Sequence, residues 1–357
     1  MLLLPTLCCA LTFNPRAPPP RCCAAPKVGS LLETADNYDA LLLDQFGVIH
    51  DGKTAYEGSV AAVRELQKMG KKIVIISNSS RRRGDTVARL LSMGFGPVQG
   101  ESGEFLNLSG GRDAELVPIS VVTSGDLVFE GLLAGTAPPF DDLGIRAFVF
   151  GNGDDDEQYV RECGKVASPI AQADFILARG LFTMLGAGPD LLRDPFAEYS
   201  LAAETEILEA ALARKPGGLP LLVANPDQLR PDGKDSPMPG QLAQRYKEMG
   251  GTDIRLVGKP HPLIYNACNA QLEAAGVDTA NARVAAVGDS LHHDVLGAHR
   301  NGVDSIFICG GVHYGELGVP QAQNVPPEGE RLAALLDGFA EETGGIRPTH
   351  SLAGFAL

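Results

Sequence analysis

Four separated stretches of this chain each place reactive polar residues directly after an apolar run. Asp44 follows "ALLL", Ser77 and Asn78 follow "KKIVII", Lys259 closes "RLVGK", and Asp289 and Asp294 lie in "GDSLHHD" after "RVAAV". The two acids five residues apart and the third on another segment make a set of hard oxygen donors suited to Mg2+. A hydroxyl and a lysine beside them would hold the equatorial oxygens of a phosphoryl group, whose transfer asks mainly for positioning and charge neutralisation. Taken singly, each residue has a plainer use. Asp44 would be a turn or helix-cap residue, Ser77 and Asn78 turn formers, and Lys259 ahead of Pro260 a surface lysine. Their recurrence at four strand ends is what points to one site.

For these residues to meet, the elements that carry them must converge. Strand-like runs over 40–46, 71–80 and 117–125 alternate with helical patterns such as "SVAAVRELQKMGKK". There Val60, Val63 and Leu66 recur at helical spacing, and Gly70 stops the helix. This alternation predicts βαβ units and a parallel sheet, whose C-terminal strand ends open on a common crevice. The pattern lapses where candidate strands at 146–152, 173–180 and 220–227 surround a helix at 200–218, and it resumes after residue 253. The chain therefore reads as α/β, with a Rossmann-like parallel-sheet core over 38–137 and 251–345. A second, smaller α+β domain is inserted over 138–250, the place of the α/β cap in the family resemblance given below.

Composition bounds the function. The 357 residues carry a formal charge of -14, which argues against nucleic acid as a partner. Arg81-Arg82-Arg83, the one basic cluster, reads as a solvated helix start, and Asp154-Asp155-Asp156 as a solvated turn. No apolar run approaches the ~20 residues of a membrane span, so no membrane partner is expected. Residues 1–32 contain no Asp or Glu and include Cys8, Cys9, Cys22 and Cys23. Residues 1–27 are expected to be a targeting segment outside the fold, similar to the bipartite plastid presequences of algae with secondary plastids. A plastid location would follow, or a cytoplasmic one if the segment is a plain disordered tail. The remaining Cys163, Cys268 and Cys309 share no metal-ligand spacing and read as buried thiols.

The four motifs in this order resemble the haloacid dehalogenase (HAD) superfamily of hydrolases, class IIA branch, over roughly residues 38–315. "VANPD" (223–227), "PMPGQL", "GKPHP", Gly47 and the Asp51-Gly52 pair belong to the same resemblance. It implies that Asp44 is the nucleophile and that Lys259 is both catalytic and phosphate-binding. Ser77 and Asn78 would bind phosphate, and Asp44, Asp289, Asp294 and the backbone carbonyl of Phe46 would hold Mg2+. It places the Asp44 strand between the strands at 71–77 and 283–288, and implies a cap that selects a small phosphorylated substrate and often mediates a homodimer.

One position departs from the family. Phosphatases of this kind carry a second Asp two residues after the nucleophile as general acid/base, and here that residue is Phe46. Loss of such a group typically costs ~10²–10⁴ in rate. The expectation is a Mg2+-dependent phosphohydrolase working through an aspartyl-phosphate, slowed or made selective by Phe46. The alternative is a protein that binds phosphate ligands without turnover. His50, His292 and His293 are the nearby residues able to supply the missing proton.

Overall fold

The computed structural model describes residues 29–100, 104–106, 116–153, 155–228 and 237–357. The expected targeting segment at 1–27, residues 107–113 and Asp154 lie outside the described residues. Strand β1 (Ala40–Leu43) is four consecutive buried apolar residues. An unbroken apolar run of this length suits a strand covered on both faces. It pairs in parallel with β2 (Lys72–Ser77), Leu43 opposite Ile75. Short β3 (Val98–Gln99) and β4 (Phe105–Leu106) follow, then β5 (Ile119–Thr123).

Seven strands come next: β6 (Arg146–Gly151), β7 (Val166–Ala167), β8 (Phe175–Ala178), β9 (Thr183–Asp190), β10 (Asp194–Glu198), β11 (Leu221–Val223) and β12 (Ile254–Leu256). The chain ends with β13 (Val284–Gly288), β14 (Asp304–Ile308) and β15 (His350–Leu352). The first sheet has the order β15-β14-β13-β1-β2-β5-β3-β4, with β1 at its centre. The second runs β10-β9-β6-β8-β11-β12, with β7 beside β6. The protein is thus an α/β fold with a Rossmann-like parallel-sheet core and an added α/β cap region.

Side chains alternate across β1 and its neighbours and define two apolar layers. Leu41, Leu43, Ile73 and Ile75 face helices Ser59–Lys68 and Arg83–Ser92 through Ala62, Val63, Leu66, Val87 and Leu90. Leu42, Val74 and Ile76 face helix Pro262–Ala274 through Ile264, Tyr265, Cys268 and Leu272. Each fully buried Leu or Ile contributes roughly 1.5–3 kcal/mol, so both faces hold the strand ends that carry the polar residues in place.

The expected boundaries shift. Strand β12 belongs to the second sheet, paired in parallel with β11, so the cap strands extend past residue 250 to Leu256. At the other end, Val128, Phe129 and Leu132 of helix Ser124–Ala134 pack into the apolar cluster under β6 and β8. Strand β15, beyond residue 345, completes the first sheet. That sheet is also not wholly parallel, because β3 and β4 form an antiparallel pair at its edge. No described helix is long and apolar enough to cross a membrane.

Candidate active site

The end of β1 delivers Asp44 to the side chains arriving from three other segments. Lys259 Nζ lies 2.7 Å from Asp44 Oδ1 and 2.7 Å from Asp294 Oδ1. The carboxylates of Asp44, Asp289 and Asp294 offer oxygens within 4.8 Å of one another, and all three residues are buried. Asp289 Oδ2 accepts the Val312 N–H at 2.7 Å, and Asp294 Oδ2 accepts the Ser290 N–H at 3.0 Å. These bonds aim the acids before any ligand arrives.

Local backbone explains how they fit so closely. A Cβ on Gly47 would lie 1.9 Å from Asp289 Oδ2, and Gly47 has φ +79. Glycine is thus required there twice over, for space and for its left-handed conformation. Gly258, at φ +130, lets the chain turn beside the Asn78 side chain just before Lys259. Asp294 sits on a π-helical turn over Leu291–Val295, a local widening that often accompanies function.

Three buried acids face one buried cation. Burial pushes the Asp44 carboxyl up to about 7; Lys259 opposes that rise and the Asp294 charge adds to it. Burial, with the charges of Asp44 and Asp294, holds Asp289 well above the usual carboxylate range. For Lys259 burial disfavours the charge, but Asp294 and Asp44 outweigh it and hold the ammonium well above the lysine range. With all acids ionised the group carries three negative charges against one positive, a balance that a divalent cation would bring to neutrality. An all-oxygen, buried donor set of this charge fits a hard divalent metal.

Ser77 faces the same space. Its Oγ accepts from Gln45 Nε2 at 2.5 Å and from the Ser79 N–H at 3.1 Å, leaving its own proton to donate to a ligand. Gln45 in turn accepts from His50 Nε2 at 3.1 Å, while His50 Nδ1 accepts the Gly52 N–H at 3.0 Å. These partners set one neutral tautomer. Burial, reinforced by the Arg89 charge, lowers the His50 pKa to about 4. Fully buried and occupied at both ring nitrogens, His50 orients Ser77 through Gln45 and has no proton for a leaving group. Gln45 was not among the residues singled out by sequence, since nothing local marks an amide whose partners lie 5 and 32 residues away.

Asn78 is placed differently from the expectation. Its Oδ1 accepts the Lys259 N–H at 2.6 Å, and its Nδ2 donates to Asp227 at 2.8 Å and to the Lys259 carbonyl at 3.3 Å. Both amide hydrogens are thereby used within the protein. The side chain ties the end of β2 to the Lys259 loop and to "VANPD", where a phosphate contact had been expected.

Phe46 is half-buried on the wall of a cavity of about 640 Å3 that also exposes Asp44, Ser77, Lys259, Asp289 and Asp294. Its ring meets His50 edge-on at 4.8 Å and lies against Gly52. His292 pairs with Glu342 at 3.0 Å, and His293 lies 3.4 Å from Asp227 and 3.3 Å from Ser290 Oγ.

Two further expectations are corrected. Arg82 and Arg83 are not a solvated helix start: both reach the buried Asp126, at 2.5 and 3.4 Å, and Arg82 stacks 3.7 Å over Phe129. Arg81 lines the cavity. Asp155 and Asp156 are not a solvated turn, because they clasp the fully buried Arg179 at 2.6 and 2.5 Å. Cys163, Cys268 and Cys309 are free and buried.

Comparison with known proteins agrees with this geometry. Sequence models of haloacid dehalogenase-like hydrolases match residues 41–102 and 256–326, the two stretches that contribute the strand-end residues. Human chronophin is 26% identical over 294 residues, covering 81% of this chain and 87% of its own length. The D-glycerol 3-phosphate phosphatase of Mycobacterium tuberculosis is 26% identical over 286 residues, covering 78% of this chain and 65% of its own. A haloacid dehalogenase-like hydrolase from Brucella suis superposes with a TM-score of 0.62 at 25% identity, covering 91% of this chain and 98% of that one.

Proposed function

We propose that this chain, a haloacid dehalogenase-like hydrolase by its sequence and fold, is of class IIA and works as a Mg2+-dependent phosphomonoesterase limited to esters with good leaving groups. The observation that carries this reading is the excess of buried acid over base at the end of β1: Asp44, Asp289 and Asp294 around Lys259 alone. Asp44, Asp289, Asp294 and the Phe46 carbonyl would hold Mg2+, which supplies charge neutralisation for the incoming phosphoryl group. Lys259 and the Ser77 hydroxyl bind phosphoryl oxygens. An Asp44 oxygen attacks phosphorus as the bond to the ester oxygen breaks, giving an aspartyl-phosphate and a leaving oxyanion. Water then attacks phosphorus, returning the Asp44 carboxylate and releasing inorganic phosphate.

Phe46 offers no carboxyl to protonate that oxyanion, and His50 is held neutral with its one N–H given to Gln45. His292 is paired with Glu342 and His293 lies against Asp227 and Ser290, so on this reading the leaving group departs as a stable anion. The mycobacterial relative's name places an alkyl phosphate within the family's range; Phe46 argues for a narrower range here. A substrate panel with Mg2+ and with chelator tests this reading. Aryl and acyl phosphates should turn over at least about a hundredfold faster than alkyl phosphates, and chelator should stop all of them. Equal rates on aryl and alkyl esters would defeat the leaving-group argument. A second reading, phosphate binding without turnover, is favoured by Phe46 alone; it would stand if no ester reacts while inorganic phosphate still binds.

A further inference from the structure

Beyond Phe46 the cavity wall carries a positive charge that the phosphoryl site does not use. Arg89, on helix Arg83–Ser92, is half-buried and lines the cavity, with its Cζ 5.9 Å from the Phe46 ring centroid. Among the described residues no carboxylate lies within ion-pair distance of its guanidinium, and no side-chain hydrogen bond engages it. The Arg81 charge opposes it, and Asp85, which favours it, lies 3.9 Å from Arg81 and is half exposed. Burial and Arg81 lower its pKa accordingly, although an arginine stays protonated through any ordinary pH.

Other inward-facing arginines are treated differently. Arg82 and Arg83 share Asp126, and Arg179 has two aspartates. A partly desolvated guanidinium facing a cavity without a counter-ion is costly unless a ligand supplies one. The acids elsewhere on the cavity wall are committed: Asp51 Oδ1 takes the N–H groups of Lys53 and Thr54, Asp227 holds Asn78, and Glu342 holds His292. The phenyl ring of Phe46 cannot neutralise the charge either.

We propose that Arg89 receives a second anionic group, a carboxylate, carried by the substrate on its leaving-group side. This rests on the reading that the phosphoryl group sits at Asp44. Phe46 and Arg89 line the same cavity as Asp44, so a leaving group lying along the Phe46 ring meets the Arg89 guanidinium, whose planar fork pairs with a carboxylate through two hydrogen bonds. Phe46 then lines the path between the two anionic ends. Arg89 acts as a specificity residue and takes no part in bond breaking.

Calorimetric titration of phosphonoacetate and of phosphonoacetamide, both non-hydrolysable, into the Mg2+-loaded protein tests the assignment, with inorganic phosphate as a third ligand. Phosphonoacetate should bind about tenfold or more tighter than the amide, the gain expected of a charge-assisted hydrogen bond. Arg89→Met should bind the two alike, and Arg89→Lys should keep part of the preference, which a merely structural role would not restore. If phosphate binds and the wild type does not distinguish the two phosphonates, the Arg89 assignment is overturned while the phosphoryl site stands. If phosphate itself fails to bind, both are overturned.

Discussion

Two buried cations in this molecule are each flanked by two aspartates, and they have different fates. Arg179, just past the end of β8, lies between Asp155 and Asp156, stacks 3.7 Å over Tyr159 and donates to the Ser80 carbonyl. The Asp155 side chain keeps 27% of its surface in water. Lys259, below the first sheet's strand ends, lies between Asp44 and Asp294, and a third buried acid, Asp289, completes the group without a cation of its own. The first cluster is a closed clasp at the end of β8 that also reaches the Ser80 backbone. The second is short of positive charge. Ion pairing and burial alone do not distinguish the two clusters; uncompensated charge at the wall of a cavity does.

The largest effect is expected at Asp44. Asp44→Asn should remove turnover on every ester, a loss on the order of 10⁴-fold or more, because an amide cannot form the acyl-phosphate. Steady-state assays that find residual activity within tenfold of wild type would remove Asp44 from the chemistry.

Removing the cations comes next. Lys259→Met and Arg179→Met each strand buried carboxylates and should cost about 3–5 kcal/mol in urea unfolding without metal. Mg2+ should restore more stability to Lys259→Met than it adds to wild type, since the acids left behind are its ligands. Arg179→Met should show only the wild-type response. The same Mg2+ response in both variants would make the two clusters equivalent.

A pH titration of stability sharpens the same contrast. The folded-state pKa of Asp44 is raised from the ordinary value 3.8 to about 7, and that of Asp289 is raised as well. Between these limits the folded state binds more protons than the unfolded chain. Stability of the metal-free protein should therefore fall as pH rises from about 4 to about 7, by roughly 2–4 kcal/mol. With Mg2+ the acids are held ionised and the slope should flatten. Thermal melts across that range, with and without Mg2+, read both limbs; a rise in metal-free stability with pH would contradict the charge imbalance.

The smallest effect concerns metal stabilisation itself. At a hundredfold excess over its dissociation constant Mg2+ should add about 2.7 kcal/mol. Asp289→Ala should abolish this gain, while Asp155→Ala, in the Arg179 clasp, should leave it intact.

Much of the buried polar cluster was legible in sequence. Asp44, Ser77, Lys259, Asp289 and Asp294 each follow an apolar run, and in a parallel sheet strand ends converge by topology. Their companions were not legible. The partner of Asn78 is 149 residues away in Asp227, and Arg179 finds Asp155 and Asp156 across 24 and 23 residues. A charged triplet such as Arg81-Arg82-Arg83 or Asp154-Asp155-Asp156 looks solvated until its opposite charge is located. Strand β12 was likewise read as part of the resumed core pattern, because a three-residue run does not say which sheet it will join.

By itself the sequence determined that strands and helices alternate through the core, that the clustered polar residues follow apolar runs, and that position 46 holds a ring instead of an acid. These are local matters of periodicity, glycine placement and side-chain chemistry. Only the tertiary structure decided what each polar group spends its hydrogen bonds and charge on. Asn78 is used on Lys259 and Asp227, His50 is held neutral behind Gln45 and Ser77, and Arg89 stands beside Phe46 with no counter-ion among the described residues. The reason is physical: burial makes every polar group require a partner, and those partners come from distant parts of the chain.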